Sequence, residues 1–125
     1  MDDKSDVFIW VDYGLAHIPG WSAAGMNEFL SRVKKNDFAV PGCWGKQDVH
    51  DSTPNWRFCG GLMVVPRKYV QDLKNGIQAI TMINVMQTKH ITWDVNSMAH
   101  LEAQNKLPIR WYKADHDKSM FENYR

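Results

Sequence analysis

Apolar residues fall along this chain in short runs broken by Gly, Pro and Asp, alternating with stretches where they recur every third or fourth position. The run Val7 to Asp12 predicts a buried strand that stops on a carboxylate, with Gly14 close behind to let the chain turn. Only six residues precede this strand, so it is expected at an edge or as the first strand, because a parallel neighbour needs a crossover connection of about a dozen residues. From Ser22 to Lys35, Met26, Phe29, Leu30 and Val33 share one helical face. Ser22 suits the N-cap, and Lys34 and Lys35 stand at the end that favours cations. Phe38-Ala-Val-Pro41 predicts a short strand.

Gly42 to Trp56 reads as a polar loop of about 15 residues, longer than most connections and therefore a binding or mobile loop. Arg57 to Val65 predicts a strand in which Gly60-Gly61 marks a bulge or a close approach of another backbone or a ligand. Pro66 to Gln87 predicts a helix with Tyr69, Val70, Leu73, Ile77 and Ile80 on its apolar face, blurring at Asn84. Thr92 to Gln104 predicts another, with Thr92 as N-cap, Asp94 in the first turn, and Val95, Met98, Ala99 and Leu101 inward. Pro108 to Lys113 is a last short strand, followed by the polar turn Ala114-Asp-His-Asp117. Alternating strands and helices argue an α/β fold in a single domain over residues 1–125, with no internal repeat.

Composition narrows the function classes. With 44% hydrophobic and 23% charged residues the chain is globular rather than disordered. Its 15 basic and 14 acidic residues are interspersed without a Lys/Arg run, which excludes the electrostatic footprint of a nucleic-acid binder. No apolar stretch reaches the ~18 residues of a membrane span. The start, Met-Asp-Asp-Lys-Ser-Asp, is unlike a signal peptide, so a cytoplasmic protein is expected. Cys43 and Cys59 are too few for a disulfide framework and lack metal-finger spacing, which predicts free, buried thiols. Six Trp is an unusual number, and these rings line either the core or a surface that stacks sugars or bases. No zinc-hydrolase His pair, nucleophile elbow, phosphate-binding loop or dinucleotide fingerprint is present.

The candidate chemistry lies where elements begin or end: Asp12 after the first strand, Asp94 at a helix start, and Asp115-His116-Asp117 after the last strand. Ligands of α/β proteins gather outside the carboxyl ends of the strands. A cation that holds a phosphorylated ligand prefers oxygen donors and, as Mn²⁺, tolerates imidazole, so Asp12 and His116 could supply one donor each. Each residue also has a plainer role: a turn Asp at 12, a helix-dipole partner at 94, solvated turn acids at 115 and 117.

Four segments occur in order: Phe8-Ile-Trp-Val-Asp-Tyr-Gly14, Phe58-Cys-Gly-Gly-Leu-Met-Val-Val-Pro66, Thr92-Trp-Asp-Val-Asn96 and Trp111-Tyr-Lys-Ala-Asp-His-Asp117. Together they resemble the HtrL/WlaTC type of glycosyltransferase, whose fold is similar to the nucleotide-sugar-binding GT-A domain. The resemblance implies a partial GT-A-like, three-layer α/β arrangement with a mixed sheet. It implies transfer of a sugar from a nucleotide-sugar donor to a glycan acceptor, assisted by Mn²⁺ or Mg²⁺. On this likeness Asp12 and His116 would touch the metal, and Asp94 would be the catalytic acid or base at the reacting sugars. Trp10, Gly60, Gly61, Trp93, Asn96 and Asp115 would contact substrate. The family motif often carries two acids around one residue, whereas Gly14 stands at the second position here. The likeness also implies that the chain corresponds to the C-terminal portion of such a domain, with an N-terminal half as an expected partner. A carbohydrate-binding or interaction module without catalysis is the alternative expectation, with Trp21, Trp44, Trp56 and Trp93 as its stacking surfaces.

Overall fold

Residues Val7–Val11 (β1), Ala39–Gly42 (β2), Leu62–Pro66 (β3) and Arg110–Lys113 (β4) form one mixed sheet in the order β1-β3-β2-β4. The computed structural model describes residues 5–125, so the first part of the polar N-terminal stretch, residues 1–4, lies outside the described residues. β1 runs antiparallel to β3, with Val7 opposite Pro66 and Val11 opposite Leu62. β2 is antiparallel to β3 through Ala39 and Val64, and parallel to β4, with Val40 opposite Trp111. Four α-helices complete the fold: α1 (Ala23–Arg32), α2 (Arg67–Thr88), α3 (Asp94–Ala103) and the short α4 (Ser119–Glu122).

The period-two alternation of the strands sorts their side chains between two cores. Leu62 and Val64 of β3, Ala39 of β2 and Tyr112 of β4 join Phe29 of α1 and Phe121 of α4 on one face. Val65, Val40 and Trp111 turn to the other face and meet Ile80 of α2 and Met98 and Leu101 of α3. Helices thus cover the sheet on both sides, giving the expected three layers of an α/β fold. Each fully buried large side chain contributes roughly 1.5–3 kcal/mol to holding these layers together. No helix among the described residues is long and apolar enough to cross a membrane.

Several boundaries differ from expectation, each for a local reason. β1 is an edge strand as expected but is only half-buried, and Trp10 and Val11 at its end are exposed. β3 begins at Leu62 rather than Arg57, and Gly60 just before it adopts a left-handed conformation (φ +74°) that turns the chain out of the ladder. α1 does start at the Ser22 N-cap, whose hydroxyl accepts from the Gly25 N–H at 3.0 Å, but it ends at Arg32, short of the two lysines. α2 runs to Thr88 and stops at Lys89 in the left-handed region. At α3 the N-cap position belongs to Trp93, because the Thr92 hydroxyl accepts instead from the Asn96 side-chain amide.

The long loop, 43–61, is fastened down rather than mobile. Asn96 Oδ1 accepts from the Asn55 N–H at 2.6 Å, and the Arg57 guanidinium makes two bonds to the Glu102 carboxylate at 2.9 and 2.7 Å. Asn84, which blurs the apolar face of α2 in the sequence, is buried and donates to Asp51 in the same loop.

A second ion pair gives the fold a predictable acid response. Arg110 donates to both Asp37 oxygens at 2.8 and 2.6 Å, tying β4 to the turn before β2. The hydrogen bond from Arg110, reinforced by that from Tyr124 and by the guanidinium charge, holds the Asp37 carboxyl below its ordinary value of 3.8. A folded-state value below the unfolded one stabilises fully above the unfolded value and is lost as pH falls through the folded one. Urea unfolding from pH 6 down to 2 is therefore expected to show a shallower acid limb in Asp37→Asn than in the wild type.

Candidate functional site

The site grows from the end of β1. The Asp12 N–H donates to the Gly61 carbonyl at 3.0 Å, which stitches the end of the first strand to the glycine pair. The Asp12 carbonyl then accepts from Leu15, starting a short 3-10 helix over Tyr13–His17. Its carboxylate makes no capping bond, so the turn-Asp role is not the one it plays. Gly14 has no left-handed backbone and supplies space instead: a Cβ there would lie 3.2 Å from Asp12 Oδ2. Gly60 is the true conformational glycine, and a Cβ on it would stand 3.0 Å from Val95 Cγ1 at the start of α3. The two glycines therefore bring the first strand, the loop end and the start of α3 together.

These elements enclose a cleft of about 300 Å³. Asp12, Gly60, Gly61, Asp94 and His116 line it, and Trp10 and Trp93 stand on its walls. Trp10 is 55% exposed and Trp93 45%. Trp56 joins them from the long loop, and its ring meets that of His116 edge-on with centroids 4.6 Å apart. Asp94 is exposed at the first turn of α3; its Oδ1 accepts from the Val95 N–H at 2.8 Å, while its other oxygen has no hydrogen bond among the described residues.

Two expected substrate contacts are placed elsewhere. Asn96 is 0% exposed, and its amide is committed to Asn55, Thr53 and Thr92, so it holds the loop and does not reach the cleft. Asp115 lies outside the cleft in the neighbouring depression with Cys43, Trp44 and Lys113. The His116 N–H donates to Asp115 Oδ1 at 2.8 Å, and that bond holds its carboxyl below the ordinary value.

The convergence that sequence reasoning missed is that of Cys43, Cys59 and His116, whose donor atoms all lie within 4.8 Å of one another. The two thiols flank one loop 16 positions apart, but His116 joins them only through the tertiary fold, so no local spacing announces the group. Both cysteines are free, as expected, but Cys43 is only partly buried. Burial pushes both thiols upward, Cys59 far more than Cys43.

His116, the expected partner of Asp12 at Mn²⁺ or Mg²⁺, converges instead with two sulfurs. His116 Nδ1 is engaged 3.6 Å from the Cys43 sulfur and 3.5 Å from Asp115 Oδ1. Among the described residues, no group of three or more converging His, Cys, Asp or Glu donors includes Asp12. Hard cations take oxygen ligands, and a set built on two sulfurs is the wrong chemistry for them. No family model, curated protein or solved structure matches the chain, so the residues of the cleft themselves carry the functional reading.

Proposed function

We propose that the cleft at the end of β1 binds a sugar and that the chain is the sugar-handling portion of a glycosyltransferase-like domain. In this reading it resembles the C-terminal part of the GT-A-like HtrL/WlaTC type and moves a sugar from a nucleotide-sugar donor to a glycan acceptor. The observation that carries the proposal is the flanking of two carboxylates, Asp12 and Asp94, by the exposed rings of Trp10 and Trp93 in one cleft. A sugar ring offers an apolar face that stacks on indole and a rim of hydroxyls that donate to carboxylates, so this combination matches its surface. The volume suits a single sugar ring, with the rest of donor and acceptor lying outside.

The roles follow from position. Asp94, fixed by one backbone bond and with its second oxygen uncommitted, takes the proton of the acceptor hydroxyl as general base. Asp12 accepts from a hydroxyl of the transferred sugar, and the glycines at 60 and 61 let the ring approach the backbone.

The assay is incubation with a panel of nucleotide sugars and oligosaccharide acceptors, read by mass spectrometry. An acceptor that gains one sugar mass only when donor and chain are both present is the expected result; no mass gain across the panel contradicts transfer. The exposed Trp10, Trp44 and Trp93 favour a second reading, a glycan-binding module without turnover. Saturable glycan binding without any mass gain would select it.

A further inference from the structure

We propose that Cys43, Cys59 and His116, completed by Asp115, form a zinc site that clamps both ends of the long loop to the turn between β4 and α4. This goes beyond the sugar reading and does not rest on it. Zinc–ligand bonds of about 2.0–2.3 Å in a tetrahedron set distances between neighbouring ligand atoms of about 3.3–3.8 Å. Four of the six distances fall in that range: Cys43 Sγ to Cys59 Sγ 3.4 Å, Cys43 Sγ to His116 Nδ1 3.6 Å, Cys43 Sγ to Asp115 Oδ1 3.7 Å, and His116 Nδ1 to Asp115 Oδ1 3.5 Å, while the Cys59 and His116 donors lie within 4.8 Å of each other. Asp115 stands outside the set that converges fully, and a rotation of its exposed side chain would bring the carboxylate to the fourth position.

The donor types select the metal. Two sulfurs, one imidazole and one carboxylate suit zinc, whereas calcium and magnesium want oxygen alone. Binding breaks two S–H bonds, releases both protons to solvent and forms two Zn–S bonds without any redox change. The Lys113 ammonium is hydrogen-bonded to the Cys43 carbonyl beside the cluster. The edge-on contact with Trp56 holds the imidazole ring in place. Because Cys59 and His116 also line the sugar cleft, the metal would fix one of its walls.

The test is titration of the reduced, full-length chain with Co²⁺, followed by displacement with Zn²⁺. One equivalent of Co²⁺ is expected to give thiolate-to-cobalt charge-transfer absorption with a tetrahedral visible band, and Zn²⁺ should abolish both. His116→Ala is exposed enough to leave the fold intact and should weaken Co²⁺ binding at least tenfold; Cys43→Ser should weaken binding likewise and lose about half of the charge-transfer band at saturation. His17→Ala, elsewhere on the surface, should bind as the wild type. A folded, reduced wild type with no charge-transfer band overturns the proposal, as does unchanged affinity in both His116→Ala and Cys43→Ser.

Discussion

Asp94→Asn is expected to slow sugar transfer by a factor of about 10²–10⁴, the usual contribution of a positioned general base. The amide keeps the shape of the carboxylate and can still accept from the Val95 N–H, so the start of α3 should hold. What is lost is the ability to take a proton from the acceptor hydroxyl. The loss belongs in kcat, with KM for donor and acceptor changed little, because the interaction matters chiefly in the transition state. Initial rates with donor and acceptor varied separately measure the split. Unchanged turnover in a folded Asp94→Asn protein would remove Asp94 from the mechanism.

Glu102→Ala is expected to cost the fold about 3 kcal/mol or more, a large share of the stability of a small domain. Arg57 is buried on the long loop, with its guanidinium 4.4 Å from the Trp111 ring centroid and a further bond to the Trp44 carbonyl at 3.2 Å. Removing Glu102 leaves that cation away from water with its two best bonds broken. The double variant Arg57→Met/Glu102→Leu should be less destabilised than Glu102→Ala, because it removes the stranded charge as well as its partner. Urea unfolding of the three proteins checks the order. A Glu102→Ala midpoint equal to that of the wild type would mean that the pair does not anchor the loop.

The helices were the most legible part of the fold. Met26 and Phe29 in α1, and Leu73, Ile77 and Ile80 in α2, announce their faces by spacing, and the Ser22 cap falls where its chemistry requires. The start of β3 was not legible, because Phe58 and Cys59 are buried yet lie in the loop. An apolar run shows burial, and only the positive φ of Gly60 separates loop from strand. Asn96 misled for a related reason. The resemblance puts it at the substrate with Trp93, but its partners Asn55 and Thr53 lie some forty positions earlier, beyond the reach of any local pattern. Asp12, Gly60, Gly61 and Asp94 were legible because each stands at the end of an element, where strands and helix starts converge. The Cys43–Cys59–His116 cluster was hidden because its members belong to the two ends of a loop and to a distant turn.

The most direct measurement of the central claim is calorimetric titration of the chain with a UDP-sugar series and with free UDP, repeated with Trp93→Ala and Asp12→Ala. Saturable binding that requires the sugar and is lost in both variants is the predicted result, since ring and carboxylate act on the same ligand in one cleft. A folded wild type that binds none of these ligands, or binds a UDP-sugar equally well in both variants, would contradict the assignment of this cleft to a sugar.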